Sequence, residues 1–455
     1  MIGNPFSAEI GPEIETRLEK LSKPATEAAA ESGAAHSSAC RVALLGFGTV
    51  GSAVAKILCE QGGDSLRLTD IYNRNVERKK QPWVPRDVVW TDDVLSVLHA
   101  DVQIVVELIG GLNPAEQIVR GALEAGKSVV TANKQLIARH GPDLLQLAHR
   151  KGCQLEFGAS VAGGVPVLPA LRTGLSGDRL HGIAGILNGT CNYILSRIEN
   201  DRIPFSEALE EAQARGYAEA DASEDLDGGD ARAKLTILAL AGLHTRVIPE
   251  TVRARTIRSI DAIDFDYSAE LGCTIRQISR ADLKAETLFA EVGPCLVPAD
   301  SPFGRVQRNL NLVLTSGQYG GDMAFLGAGA GGDPTAVAVV SDVLFVAQNL
   351  SGGAARKMAT SSVLTPAISS DFETPWYLRF FVRDQPGIVA RLAQILAEHH
   401  LNIDSVLQKP GFDKAALPFV VTLEPCRDSQ LHPALERMSA LEFSLRPCLC
   451  LPILR

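Results

Sequence analysis

Across the first third of the chain, short apolar runs alternate with helical patterns, and each run stops at a small or polar turn. Arg41-Val42-Ala43-Leu44-Leu45 leads into Gly46-Phe47-Gly48-Thr49-Val50-Gly51 and then into the helical stretch Ser52–Leu58. A second strand is expected to continue through Ile71-Tyr72 and end at Asn73-Arg74. Further strands are expected at Val102–Ile109, before Gly110-Gly111, at Ser128–Thr131, before Ala132-Asn133-Lys134, and at Cys153–Phe157, before the segment GASVAGGVP. Strands that alternate with helices predict a parallel α/β sheet, which gathers its ligands at the carboxyl ends of the strands. Lys134 falls at such an end, as either a solvated loop lysine or a ligand-facing one.

The middle of the chain changes character. LHGIAGILNGTCNYIL, residues 180–195, reads as a strand, a glycine turn and a helix. Asn188, Thr190 and Asn192 are its polar candidates, with turn and cap duty as the alternative for each. Residues 216–242, GYAEADASEDLDGGDARAKLTILALAG, are polar first and then apolar at helical spacing. Asp230 and Lys234 are four apart and share a helix face. Ala231, Ile237 and Leu238 place apolar neighbours one turn either way, so desolvation is expected to lower the lysine pKa while Asp230 pulls it back. A lysine in that balance can pass a proton during carbonyl chemistry, whereas a surface lysine would lay its stem on the helix and turn its head to water. Ser223, Asp225, Asp227 and Gly228 approximate the start of a calcium loop, but the position that needs a bidentate Glu holds Lys234. Later, Asp333-Pro334-Thr335 precedes an Ala/Val-rich helix, Ala336–Ala347, expected to fold back onto the first sheet and make that domain discontinuous.

The pattern restarts after a Gly/Ser/Ala/Pro-containing connector. Trp376–Val382, the turn Asp384-Gln385-Pro386-Gly387, the helical run Ile388–His399 and a strand Asn402–Gln408 are followed by Phe419–Glu424, Leu431–Met438 and Cys448–Leu451. The order βαββαβ is a ferredoxin-like split unit, and Pro447 and Pro452 suit an edge position for its last strand.

Composition narrows the function. The 455 residues are 46% hydrophobic and 21% charged, enough for two to four domains with sizeable cores. A formal net charge of -9 with no long basic block argues against nucleic acid as a partner. Nine scattered cysteines without a CxxC pair argue against a disulfide framework or a zinc site and suit a reducing cytosol, so a cytoplasmic location is expected. The start lacks the pattern of a secretory signal, and no run of about 18 apolar residues suggests a membrane span.

In the strand–turn–helix context, Gly46 permits the tight turn, Gly48 lets a pyrophosphate approach the backbone and Gly51 lets helix and strand pack closely. Dinucleotide binding follows. Asp70 lies where an acidic ribose ligand would be sought, yet Arg74, with Arg78 and Lys79 behind it, favours a 2′-phosphate. NADP(H) is therefore favoured, with NAD(H) open.

GFGTVG, ELIGG, VVTANK, ASVAGGVP, ILNGTCNYIL, GYAEAD…DLDGGDARAK and GAGAGGDPTA, in that order, make the chain resemble the homoserine dehydrogenases over about residues 40 to 350. The resemblance implies reversible reduction of L-aspartate 4-semialdehyde to L-homoserine with NAD(P)H, on the route to threonine and methionine. It implies Lys234 as proton donor, Glu219 and Asp230 as substrate ligands, and Lys134 in contact with substrate and nicotinamide. Cofactor contacts are implied at Gly46, Phe47, Gly48, Thr49, Val50, Gly51, Arg74, Ile109, Gly110, Lys134, Gly216 and Gly329. A monovalent cation, commonly sodium, is implied on the backbone carbonyls of Gly158, Val161, Gly163 and Val165. The family usually has Glu at the position of Gly158; the carbonyl survives that change, and occupancy stays open. The strand followed by DQPG and a helix resembles the ACT domain, which binds small amino acids and usually works in pairs, with threonine the implied effector.

The expected architecture is α/β throughout. A flexible extension at 1–39 precedes a Rossmann-type nucleotide-binding domain at 40–169 plus about 319–350. An α+β catalytic and dimerisation domain at 170–318, a linker at 351–372 and a ferredoxin-like ACT domain at 373–455 complete it. A homodimer or homotetramer is expected. Two other functions remain open: an amino-acid sensor on an inactive scaffold, and an oxidoreductase for another amino-acid semialdehyde.

Overall fold

The computed structural model describes residues 39–63, 65–351 and 363–454. Residues 1–38 of the expected extension, with a short helix anticipated at Ile14–Leu21, and residues 352–362 of the expected connector lie outside the described residues. The chain separates into two compact units, the first formed by the described residues up to Ala170 together with Ala330–Val363.

In the first unit six parallel strands, β1 (Cys40–Leu45), β2 (Leu66–Tyr72), β3 (Val89–Thr91), β4 (Ile104–Glu107), β5 (Ser128–Thr131) and β6 (Leu155–Glu156), lie in the order β3-β2-β1-β4-β5-β6. This is the doubly wound dinucleotide-binding order, with its ligand crevice at the ends of β1 and β4. Val42, Leu44, Ile71, Ile104, Val106 and Val130 are buried along the strands. The returning helix Gly332–Ser351 brings Ala336, Val339, Val340, Val343, Val346 and Ala347 into the same core, at the three-and-four spacing of one helix face. By length and composition this helix could cross a membrane. Its apolar face is instead committed to that core.

The expected elements shift at their ends for local reasons. The returning helix begins at Gly332, ahead of Pro334, because the first-turn N–H groups of a helix lack intrahelical partners and proline loses nothing there. The β4 strand stops at Glu107 because the Glu107 carboxylate takes the N–H groups of Ile109 at 2.8 Å and Gly110 at 3.0 Å and turns the chain out of the sheet. The β6 strand stops at Glu156 because Phe157 opens the tight turn Gly158–Ser160, its carbonyl accepting from Ser160 N–H at 2.9 Å.

The second unit holds two sheets. In the larger, β7 (Leu180–Ile186), β9 (Cys273–Lys284), β10 (Thr287–Pro298), β11 (Leu310–Gly317), β12 (Gly321–Ala328) and β13 (Ala367–Ser369) run in the order β12-β11-β7-β9-β10-β13, and the two-residue β8 (Arg253–Ala254) pairs with β10. The smaller is antiparallel, with β14 (Glu373–Val382), β15 (Ile403–Leu407), β16 (Leu417–Arg427) and β17 (Leu449–Pro452) in the order β15-β16-β14-β17. The helices Ile388–Glu398 and Asp428–Ser439 complete the ferredoxin-like βαββαβ order, with the proline-flanked β17 at an edge.

Alternation along β14 divides two cores. Trp376, Leu378, Phe380 and Val382 face the module's own helices. Tyr377 faces the other way and joins Val420, Leu451 and Ile453 in one cluster with Cys191, Ile194, Ile198, Tyr267, Ile275 and Leu296. The small sheet is thus packed onto the larger one. Next to Tyr377 in that contact, Arg379 pairs with Asp261 at 2.7 Å and Asp264 at 2.8 Å, and donates to the Ser259 carbonyl at 2.8 Å. Asp264 also accepts from Tyr377 Oη at 2.8 Å.

Burial pushes the Asp264 carboxyl up to about 6, against the pull of Arg379, the Asp261 N–H and Tyr377. A carboxyl that keeps its proton longer when folded than when unfolded stabilises the fold at low pH. Stability from this group therefore falls as pH rises from 3.8 through about 6 and is level above. The loss is at most about 3 kcal/mol. Asp264→Asn is expected to remove this decline from urea unfolding curves between pH 4.5 and 7; a variant that tracks the parent throughout the window would rule Asp264 out as its source.

Candidate active site

At the end of β1 the chain turns with Gly46 at φ +102°, and a side chain there would begin 2.6 Å from the Leu108 carbonyl oxygen. A side chain at Gly51 would begin 2.1 Å from the Gly46 carbonyl oxygen. Both glycines are demanded by the protein's own packing. Gly48 is different: a Cβ there would meet nothing within 4 Å, at the N-terminal end of the helix Thr49–Gln61. That open approach is what a phosphate needs. The Phe47 ring is buried edge-on to Trp90, with centroids 4.9 Å apart, so this residue offers its backbone alone. Thr49 is exposed and Val50 half-buried.

Arg74 is exposed just beyond β2. Asp70 sits within that strand, two residues short of its end, and accepts from Thr69 Oγ1 at 2.7 Å. The acidic side chain is thereby occupied while the basic one projects.

The loop with Ile109 and Gly110 is held by Glu107, a fully buried carboxylate. Its second oxygen accepts from Thr131 Oγ1 at 2.6 Å, and Thr131 Oγ1 accepts from Asn133 N–H at 2.9 Å. Asn133 donates to the Gly111 carbonyl at 2.6 Å and caps the helix Lys134–Lys151 by accepting from Leu136 N–H at 3.1 Å. Lys134, half-buried, is the first residue of that helix, so its backbone is fixed to the β4 loop through this chain of bonds. The local pattern marks Glu107 by one sign: it is the acid that ends an apolar strand.

Gly158, Val161, Gly163 and Val165 lie on a buried turn after β6, with Ala162 at φ +52°. Asp342 on the returning helix accepts from Gly158 N–H at 2.7 Å. A side chain at 158 would begin 2.7 Å from that carboxylate, so glycine and Asp342 fit one another. The Val165 carbonyl also accepts from Val167 N–H at 2.8 Å. Among the described residues no group of three or more His, Cys, Asp or Glu could hold a metal.

In the second unit Lys234 stands on the helix Gly229–Gly242, its side chain 12% exposed. Its Nζ lies 2.8 Å from Asp230 Oδ2 and donates to the Leu187 carbonyl at 2.8 Å. The head is turned inward, not out to water. Asn188 donates to Asp230 at 2.9 Å and to Asp225 at 2.6 Å. No calcium loop forms: Ser223 starts a short helix, and Asp227 pairs with Arg258 at 3.1 Å.

Thr190 donates to the Tyr217 carbonyl at 2.7 Å, tying the helix Gly189–Asp201 to the loop that carries Gly216 and Glu219. Gly216, at φ +73°, and Glu219 are exposed, and the Glu219 carbonyl accepts from Gln213 at 3.1 Å. Asn192 is fully buried and donates to the Val306 and Leu310 carbonyls, a structural duty. Gly329 follows β12, where a Cβ would fall 1.1 Å from Asn311 Oδ1, and Asn311 donates to the Ile186 carbonyl at 2.6 Å. Gly329 is thus required by packing, whatever its part in cofactor binding.

A doubly wound sheet with an open glycine turn, a second unit with an inward-facing lysine and a ferredoxin-like module together define a nicotinamide-dependent oxidoreductase with an appended regulatory-type domain. Residues 46–158 match the homoserine dehydrogenase NAD binding domain, residues 166–344 homoserine dehydrogenase and residues 376–443 the ACT domain. The chain is 38% identical to homoserine dehydrogenase of Synechocystis over 427 residues, 88% of this chain and 96% of that one. The crystal structure of a homoserine dehydrogenase from Thiobacillus denitrificans superposes with a TM-score of 0.84 at 31% identity, covering 91% of this chain and 98% of that one. A hyperthermophilic archaeal homoserine dehydrogenase in complex with NADPH superposes at 0.59 with 25% identity, covering 68% and 98%. The chain belongs to the homoserine dehydrogenase family, NAD(P)-dependent oxidoreductases acting on a CH–OH group.

Proposed function

We propose that the enzyme interconverts L-aspartate 4-semialdehyde and L-homoserine with Lys234 as the proton donor to the carbonyl oxygen, and that NADP(H) is its favoured cofactor. The observation that carries this reading is the inward-facing ammonium of Lys234, 2.8 Å from Asp230. The bound nicotinamide supplies or accepts the hydride. As a carbonyl is reduced, negative charge grows on its oxygen, and a preorganised cation in a dry site stabilises that charge more than water can. Asp230 holds the ammonium and aims it. Glu219 and Asp230 would take the polar ends of the substrate, and Lys134 would contact substrate and nicotinamide.

The glycine turn would receive the pyrophosphate through Gly46–Gly51, and Arg74, exposed beyond β2 where Asp70 is engaged by Thr69, would take a 2′-phosphate. Ile109, Gly110, Gly216 and Gly329 complete the cofactor contacts we propose. For the cation, the buried turn of Gly158, Val161, Gly163 and Val165 offers neutral carbonyl oxygens, a donor set suited to a monovalent ion, with Asp342 beside it.

Feedback by threonine through the ACT domain is part of the same proposal. A cavity of about 340 Å³ lies at the DQPG turn, lined by Asp384, Gln385, Gly387, Val382, Ile388 and Phe419 among others. Polar side chains beside apolar ones suit a small amino acid with a short side chain. The edge strand β12, with Met323 and Leu326 exposed, supports association of copies as a homodimer or homotetramer. An NADPH-oxidation assay with aspartate semialdehyde, run with and without threonine, is expected to show turnover that threonine lowers. Threonine that changes neither turnover nor thermal stability would leave the ACT domain as a structural module.

A further inference from the structure

Asn188 occupies the first position before the helix Gly189–Asp201, and its side chain does two things at once. Its Oδ1 accepts from Cys191 N–H at 2.8 Å, the usual duty of an Asn that starts a helix. That bond also fixes which end of the amide faces the helix, so the NH₂ group must point away from it. There its Nδ2 donates to Asp225 Oδ1 at 2.6 Å and to Asp230 Oδ2 at 2.9 Å. An amide carries two N–H bonds and no charge, so one Asn can serve two carboxylates together. Lys234 comes to the same oxygen of Asp230, and its second bond goes to the carbonyl of Leu187, the residue before Asn188. One peptide segment therefore anchors both partners of the ion pair.

We propose that Asn188 is a positioning residue for the reaction, the amide that holds Asp225 and Asp230 side by side as carboxylates and so fixes Asp230 against Lys234. The inference rests on the reading of Lys234 as proton donor. Two neighbouring carboxylates repel, and a donor shared between them offsets that repulsion, so its loss eases protonation of the pair. A protonated Asp230 loses its grip on the ammonium. Groups that face the pair include Lys234 from the helix that carries Asp230, Cys191 from the helix Gly189–Asp201 and the uncharged Gln277 from β9, which donates to the Asp225 carbonyl at 3.5 Å. The Cys191 thiol donates to that same carbonyl at 3.1 Å, and burial holds its proton well above the ordinary range, so it does not titrate near neutrality.

Serine separates the two duties, since it caps a helix as asparagine does but cannot donate to two carboxylates at once. Asn188→Ser is expected to keep the parent's KM for NADPH, with a modest fall in thermal midpoint from the bonds lost to the carboxylates. Its kcat should fall about ten- to a hundredfold, and the acidic limb of its kcat/KM profile should move up by about one pH unit or more. Asn188→Asp, which also caps but adds a third negative charge, is expected to move that limb further. An unshifted acidic limb in Asn188→Ser would overturn the proposal, whatever the change in its thermal midpoint. Lys234→Ala assayed alongside keeps the two readings apart: full turnover there removes the lysine role, while the acidic limb of Asn188→Ser still reports on the carboxylate pair.

Discussion

Lys234→Ala is expected to lower kcat by about a hundred- to ten-thousandfold, the usual range for a positioned general acid, while NADPH binds as tightly as to the parent. The lysine belongs to the second unit, whereas the glycine turn proposed for the pyrophosphate belongs to the first, so the substitution leaves that turn untouched. It also removes the cation from Asp230, which is 5% exposed. Removing one member of a buried ion pair costs up to roughly 3–5 kcal/mol, less here because Asn188 still donates to Asp230, so a lower thermal midpoint accompanies the kinetic loss. Rapid-mixing kinetics at saturating NADPH, with a parallel fluorescence titration of the cofactor, separate chemistry from binding. Equal losses in the two measurements would sink the assignment of Lys234 as proton donor.

The second large effect is expected from Gly48→Ala, and its value lies in the contrast with Gly51→Ala. A methyl group at 48 meets nothing in the protein, so the variant should melt with the parent. It stands in the path that a pyrophosphate takes to the backbone, so cofactor affinity should fall by at least tenfold, about 1.4 kcal/mol. A methyl at 51 would begin 2.1 Å from the Gly46 carbonyl oxygen, so that variant should lose stability as well as affinity. Differential scanning calorimetry with NADPH titration reads both. If Gly48→Ala binds NADPH as the parent does, the phosphate lies elsewhere.

The glycine turn, the parallel sheet around it and the βαββαβ module were legible in the sequence because each is dictated by local chemistry. Turns that demand glycine and strands that alternate carry their own marks. The Asp230–Lys234 pair was legible for the same reason, as two residues one turn apart. The bond from Asn188 to Asp230 joins residues 42 apart. No periodicity announces a contact of that kind; in the sequence Asn188 stood as a polar candidate with cap duty as the alternative, and the structure gives it the cap bond and the bond to Asp230 together. The long β9–β10 hairpin was hidden in another way. Arg276, Gln277, Ser279 and Glu291 are buried within it, so its polar positions do not alternate towards solvent. Arg276 is satisfied by Glu199 at 2.8 Å, and Glu291 by Arg280, Arg255 and Arg253 at 2.5 to 3.0 Å. Pairs of opposite charge let polar residues occupy a core, and the sequence does not say which pairs meet. Asp342 against Gly158 is a third case, a carboxylate delivered from a helix far along the chain to a place where a side chain is missing.

The division of the first unit between two stretches of chain bears on how the protein is made. Its core lacks Ala336, Val339, Val340, Val343, Val346 and Ala347 until the intervening residues 171–329 have been synthesised. An emerging polypeptide that has already paired its six strands still presents an uncovered apolar flank and an unclasped Gly158 N–H. The helix Gly332–Ser351 therefore closes the dinucleotide fold from the far end of the chain, and a polypeptide ending before it would lack both that apolar cover and the Asp342 bond to Gly158.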